Sequence, residues 1–523
     1  MSWAPRSCSP PRRPHALVIG QATQVTSDTG LEVQPALSPD GRHVAYAGGS
    51  SAQTRILIRQ VAGGRTITLT NDATESEWSP RWSPDGSRIL FLARGGVFSA
   101  DAFGGPARQE VPSVGGSPII SAAWSPDGRE IAFVRRDSLQ ARAVGDGATR
   151  PIAWFRDPHS CAWSPDARWL ACVSGNSFSV TIGQWFGNVA PTTIVLLPAA
   201  GGAPVSVTDS GSLNQSPVWS PDGSWLYYVS NRDGPSDVYA LPMSGSGRAD
   251  GAPVRLTTGL GAQSIALAAD GRRLAYSVYS ATANIWSLPI PQGPPVSAAA
   301  AVPVTSGIQN IEGVRATRDG RWLLYDSDLS GSSDIYRIPV AGGEPERLTT
   351  HPADEFRPDA SADGRLLAFH SWRTGSRDLF VMPLDGGPVE QLTATPAQEM
   401  YARWSPDGSA LAFVDLSGGP SIHVMRRDAG GGWRPPVRRA QGVWPSWSPD
   451  GRTLAYTTVP DGRLGVVPAD SGEPRILYTP TPSSDDPPAE LAEWGPGGGT
   501  IYFKSHDARG GASFWAVGPT GGR

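Results

Sequence analysis

Lysine is almost missing from this chain of 523 residues. Of its 44 basic residues only Lys504 is a lysine, and the rest are arginines. That excludes several enzymes at once. A P-loop needs Gly-Lys-[Ser/Thr], and a protein kinase needs a strand lysine, His-Arg-Asp and Asp-Phe-Gly; none occurs. Histidine is scarce too: His15, His43, His159, His351, His370, His423 and His506 are scattered, with no His-Glu-x-x-His and no Cys-x-x-Cys. No Gly-x-Ser-x-Gly nucleophile elbow is present; Gly175-Asn-Ser177-Phe-Ser179 lacks the final glycine. Three cysteines make no disulfide scaffold. Cys161 and Cys172 flank one hairpin and are read either as a cross-strand bridge or as two buried thiols. With His159 they form the one soft-ligand cluster, which is short of the four ligands a closed zinc site takes. Asp326, Asp328 and Asp334 would suit a hard cation, but are better read as turn caps, like Asp237 and Asp378 at matching positions. No metal and no cofactor is expected. No apolar run reaches about 18 residues, so no membrane span is expected, and His15–Gly20 is too short for a signal-peptide core. Read alone, the chain is cytoplasmic.

What the chain does have is a phrase, Ser-Pro-Asp-Gly, usually after tryptophan and before a short apolar run. Clear copies start at Ser38, Ser83, Ser125, Ser220, Ser405 and Ser448, and degenerate ones at Ser164, Ala268, Thr317, Ser361 and Gly495. These eleven copies are spaced by 39 to 56 residues, a period that marks a repeat architecture. The phrase is a turn by its own chemistry. Proline presets φ for a type I turn, aspartate bonds back to local backbone, and glycine takes the positive φ that follows. Ala167 replaces that glycine, so a retained turn carries about 1 kcal/mol of left-handed strain there. Around Ser220, the segments Ser216–Trp219, Trp225–Ser230, Asp237–Pro242 and Val254–Thr257 are short, aromatic or β-branched, and bounded by turn residues. Four antiparallel strands per repeat is a propeller blade, so the expected fold is all-β: about eleven four-stranded blades in two rings.

Trp-Ser-Pro-Asp-Gly, then a strand, Gly-x-x-Asp-[Ile/Val/Leu]-[Tyr/Phe], Gly-Gly and Leu-Thr, resembles the TolB-type and dipeptidyl-peptidase-type propeller repeat over nearly all of residues 23–523. Two longer phrases, Gly30–Gly41 and His370–Asp378, are similar to the non-kinase region of some bacterial membrane-anchored Ser/Thr kinases. That resemblance implies a domain beyond a membrane and a linker remnant at the N-terminus. The expected organisation is a disordered Pro/Arg-rich linker over 1–22, a first propeller over 23–260 and a second over 261–523. Gln24–Thr26 reads as a fourth strand without a blade, whereas the last repeat ends without one. Residues 23–27 are therefore expected to pair with 514–518 and cover an open sheet edge.

Five or six residues before each turn, acids and amides recur: Glu32, Glu77, Asn214, Gln263, Glu312, Glu355, Glu399 and Glu490. They fall where the chain begins the innermost strand of a blade. They are expected either to ring a channel mouth, drawing cations or basic peptides by a focused field, or to satisfy backbone N–H groups at the strand start. Nucleic acid is not an expected partner. Net charge is −4, and only Arg426–Arg439 is locally basic. The leading expectation is a non-enzymatic binding or scaffold module, a sensor or protein-interaction region taking a peptide, protein or small ligand at its channel mouths. Kinase or peptidase chains are the partners the resemblance implies. An accessory propeller docking a separate hydrolase, and a lyase or hydrolase using carboxylates in the channel, are the alternatives.

Overall fold

A computed structural model describes residues 19–28, 30–50, 53–70, 76–114, 117–145, 147–176, 191–279, 282–289, 297–395, 397–428, 430–459, 461–481, 488–506 and 512–521. Most of the linker expected over 1–22 lies outside them. The fold is all-β. The described strands form nine four-stranded antiparallel sheets, one of three strands and two of two strands. Among the described residues no helix is long and apolar enough to cross a membrane.

The repeated turn closes as its residues dictate. At Ser220 the hydroxyl donates to Asp222 Oδ1 at 2.6 Å and accepts the N–H of Trp225 at 2.9 Å, while Gly223 N–H bonds the Ser220 carbonyl at 2.9 Å. Gly223 takes φ 70°. Ala167 keeps the turn at φ 59°, its N–H on the Ser164 carbonyl at 2.9 Å. Beyond each turn the second and third strands often pair aromatic on aromatic. Phe91 faces Phe98, Tyr228 faces Tyr239, Tyr325 faces Tyr336 and Phe369 faces Phe380, with centroids 5.7–6.0 Å apart. Such cross-strand pairs are worth roughly 0.2–1 kcal/mol each.

The chain divides into two compact units: residues 1–182 with 192–279, and residues 183–191 with 280–523. The division thus lies one hairpin later than the expected boundary at 260. The repeat around Ala268 is split. Its inner hairpin, Ala262–Leu267 with Leu274–Val278, belongs to the first unit and packs beside Leu31–Leu37. Its outer pair, Trp286–Ser287 with Val302–Pro303, belongs to the second, where Ile285 packs with Tyr325, Tyr336 and Ile338. The physical reason is closure: the strand beside Leu31–Leu37 must come from the end of its own ring.

Residues 23–27 form no strand. Val25 packs against Leu37, Val44, Tyr46 and Ala268 in the first unit. Ala512–Val517 pairs with Ile501–His506 as the outer strand of the three-stranded sheet. A fourth strand from residues 23–27 is therefore not seen in that sheet among the described residues.

Candidate functional site

In the first unit the innermost strands Leu31–Leu37, Trp78–Trp82, Ile119–Trp124, Pro158–Trp163, Asn214–Trp219 and Ala262–Leu267 surround a cavity of about 560 Å³. Each pairs with a sheet neighbour on one side only, so its free edge turns toward this space.

A bulge shapes most of these edges. Gln34, Ser79, Ser160 and Ser216 all hold φ between 46° and 55°, and the register slips at each. Pro35, Pro80 and Pro217 follow three of the four. Proline has no N–H to lose from a ladder, so a bulge is one of the few places a sheet accepts it. Counted back from each turn, four residues before it stand Gln34, Ser79, Ser121, Ser160, Ser216 and Ser264, all on the cavity. This hydroxyl-rich layer also stitches neighbouring strands. Gln34 Oε1 accepts Ser79 N–H at 2.8 Å, Ser121 Oγ accepts Cys161 N–H at 3.2 Å and Ser216 Oγ accepts Ile265 N–H at 2.9 Å. Two residues before the turn the layer is small and apolar, Ala36, Ala123, Ala162, Val218 and Ala266, interrupted once by Arg81. The tryptophans one residue before the turn seal the strands: Trp82 Nε1 donates to Ala36 O at 2.9 Å and Trp219 Nε1 to Ala162 O at 3.3 Å.

Cys161 and Cys172 are joined by a disulfide, Sγ–Sγ 2.05 Å and Cα–Cα 4.1 Å. Of the two readings of this pair the bridge is the one observed, and it leaves the trio with His159 no thiolate to offer a metal. His159 is buried, with Nε2 2.7 Å from Gly175 O and Nδ1 2.9 Å from Ser160 Oγ. The carbonyl takes the Nε2 proton, so Nδ1 accepts the Ser160 hydroxyl. Burial pulls the ring's pKa below its usual value.

The periodic acids and amides do not form one layer. Glu77, Asn214, Glu355 and Glu399, six residues before their turns, are only 4 %, 0 %, 0 % and 1 % exposed. Three of their side chains bond to strand-start and preceding-repeat groups. Glu77 accepts Ile56 N–H at 3.0 Å and the Thr70 hydroxyl. Asn214 Nδ2 donates to Thr192 O at 2.8 Å, Asp209 O at 3.1 Å and Ser212 O at 3.0 Å. Glu399 accepts the Thr395 hydroxyl, and burial raises its pKa to about 7. Glu355 pairs instead with Arg373, in the turn after the neighbouring strand of its own sheet. Gln263, Glu312 and Glu490, five before their turns, are half-buried, as is Glu32. Gln263 O accepts Gln215 Nε2 at 2.8 Å, and Glu312 N–H bonds Asp326 Oδ1 at 2.7 Å. Glu32 Oε1 accepts Asp28 N–H at 3.4 Å, and Glu490 faces Lys504 in the strand register.

The second unit fills the same layers differently. Gly313, Arg357, Tyr401, Trp444 and Leu491 stand four before their turns, with the Arg357 guanidinium over the Tyr401 ring at 5.2 Å. Two before stand Arg315, Asp359, Arg403, Ser446 and Glu493. Arg315 and Glu493 pair at 3.0 Å; Asp359 accepts Trp404 N–H at 2.7 Å, and burial raises its pKa to about 7. Of the aspartates expected as turn caps, Asp334 takes the Ser330 and Ser332 hydroxyls of its own turn, whereas Asp326 and Asp328 bond backbone groups of other segments. Asp326 takes the N–H groups of Glu312, Gly313 and Arg357, Asp328 takes that of Asn310 at 2.7 Å, and Asp334 takes Arg347 at 2.8 Å. The basic stretch is likewise engaged, Arg426 with Asp470 at 2.5 Å and Arg439 with Pro468 O at 2.9 Å.

Of the residues expected at a channel mouth, Gln263 lines this cavity; the bulge residues on it were not among those expected, although a signal was there. Pro35, Pro80 and Pro217, with Pro358 and Pro445 in the second unit, recur three residues before the turn. Each follows the residue at the bulge, and in the first unit that residue lines the cavity.

Sheets radiating from a shared cavity, stitched through a repeated turn, define a β-propeller repeat protein, at the coarse level a binding or scaffold fold. The TolB beta propeller domain family matches residues 15–144, 97–289 and 352–522, and the chain belongs to that family. An uncharacterized protein of Agrobacterium fabrum is 29% identical over 145 residues, covering 27% of this chain and 45% of that protein. The chain thus spans less than half the length of this relative. Among solved structures, a putative TolB from Agrobacterium tumefaciens is 20% identical, covering 55% of this chain and 84% of that one at TM-score 0.20. TolB from Acinetobacter baumannii is 16% identical, covering 69% and 80% at TM-score 0.27.

Proposed function

We propose that the chain is a non-enzymatic binding module that takes a small ligand or the end of a peptide in the channel of its first unit. The observation behind this reading is the cavity of about 560 Å³ on which six strand edges converge. Its volume falls in the range of small-molecule sites, and its lining mixes apolar walls with a few convergent polar groups, as such sites do. The half-buried Glu32 and Gln263 at the strand starts are the rim such a ligand passes. A sensor or protein-interaction role follows from a ligand that changes how the rim meets a partner.

Plugging the channel tests this. Ser264 lines the cavity and has an ordinary backbone φ, so Ser264→Phe fills the space without turn strain. Wild-type protein exposed to host extract should carry a co-purifying small molecule or peptide visible by native mass spectrometry. The folded Ser264→Phe variant should not carry it; equal loading of both would sink the channel reading.

A further inference from the structure

Among the described residues, Arg81 is the one arginine that reaches the first unit's cavity, and no carboxylate lines that cavity. Among the described residues its guanidinium makes a single hydrogen bond, Nη1 to Pro80 O at 2.9 Å. Three other partly buried arginines are matched by acids: Arg255 meets Asp237 at 2.5 Å, Arg347 meets Asp334 at 2.8 Å, and Arg373 meets Glu355. Of the two second-unit arginines at the position equivalent to Arg81, Arg315 meets Glu493 at 3.0 Å, while no ion pair is seen for Arg403 among the described residues. A cation left without a counter-charge inside a protein is costly. Burial with no acid nearby pushes its pKa down.

The surroundings suit an incoming anion. The equivalent positions on the other five strands are alanine or valine, which leaves room in front of the guanidinium. One layer away, Ser79 and Ser121 carry neutral hydroxyls, which hydrogen-bond an oxyanion without repelling it, while those of Ser216 and Ser264 bond Ile265 and Ser277. A guanidinium presents its donors in a planar fork that matches carboxylate and phosphate oxygens.

We propose that the channel of the first unit selects a ligand bearing an oxyanion, a carboxylate or a phosphate, seated on Arg81. This rests on the channel reading above and adds the charge of what enters it.

The test is calorimetric titration of the full chain with inorganic phosphate, with N-acetylalanine and with its neutral amide. Indole NMR signals of Trp82, Trp124, Trp163 and Trp219 report where binding occurs. Saturable binding of an anion, with the amide at least tenfold weaker, is expected. Phosphate alone or N-acetylalanine alone distinguishes the two sources. Arg81→Gln should weaken the anion by roughly tenfold or more, the worth of a lost charged hydrogen bond, and Arg81→Lys should retain part of it. Arg81→Gln should melt no lower than wild type, because it removes an unmatched, half-buried charge. Two results overturn the proposal: an amide that binds as tightly as the acid with Arg81→Gln unchanged, or no shift from any probe up to about 10 mM. The first leaves the channel reading standing. The second leaves it to the Ser264→Phe comparison, which uses no anion.

Discussion

Glu77 and Glu399 occupy the same place in their repeats and stand in opposite energetic situations. Glu77 is fully used: one oxygen takes Ile56 N–H and the other the Thr70 hydroxyl. Glu77→Ala strands both buried donors and should cost about 2–3 kcal/mol in urea unfolding. Glu399 is buried with Oε2 lacking a hydrogen-bond partner, and its pKa is pushed up to about 7. Its folded-state pKa lies above the unfolded value, so ionisation destabilises the fold as pH rises through about 7. Glu399→Gln should therefore raise the unfolding midpoint at pH 8 and leave it nearly unchanged at pH 5; an equal effect at both would contradict the assignment. At Ala167 the left-handed turn is held at φ 59° without glycine. Strain of about 1–2 kcal/mol outweighs the roughly 0.4–1 kcal/mol of chain entropy that glycine adds to the unfolded state. Ala167→Gly should thus stabilise by a few tenths to about 1 kcal/mol, measurable as a higher urea midpoint.

At the scale of strands, the turn and its period were legible because Ser, Pro, Asp and Gly each act locally and need no tertiary partner. The hairpin order was legible for the same reason. What faces the channel was not, and the bulge explains why. Inserting one residue reverses which side chains point inward. Glu77, Glu355 and Glu399 lie before the bulge, and what occupies its corner is Ser79, Arg357 or Tyr401. Counting alternation straight through the strand therefore misses which side chains line the cavity. The split of the Ala268 repeat was equally hidden, since closure depends on which strands finally meet and leaves no local mark. The disulfide belongs to this scale too. It links the first two strands of one sheet across a separation of 11 residues. A loop of that length restricts the unfolded chain by about 3 kcal/mol. Replacing both cysteines by alanine should lower the first unit's unfolding free energy by about 2–3 kcal/mol, and leave the second unit's transition in place.

The molecule as a whole carries three sets of titrating groups, two of them distributed unequally between its units. Turn aspartates occur in both. Hydroxyl bonds from the turn Ser or Thr hold Asp40, Asp85, Asp127, Asp319, Asp363, Asp407 and Asp450 below the usual carboxylate range. At Asp166 and Asp222 burial pulls upward, yet the turn bonds still win. These groups stabilise above their unfolded pKa and lose that contribution as pH falls through the folded value, so acid below about pH 4 weakens both units. Buried His159 in the first unit, and His351, His370 and His423 in the second, are depressed by burial. The unfolded chain binds their protons first, so each adds stability as pH rises toward about 6.5. The second unit also holds Asp326, raised by burial, Asp354 raised to about 6, and Asp359 and Glu399 raised to about 7. Those four act in the opposite sense over the same window, because the folded state keeps their protons longer. In the first unit nothing opposes His159 among the acids with resolved shifts. Between pH 4.5 and 7 the first unit's melting transition should therefore rise relative to the second's in differential scanning calorimetry. The disulfide-free variant identifies which transition is which. A second-unit transition that climbs in parallel with the first would show that the buried acids of the second unit are ionised throughout.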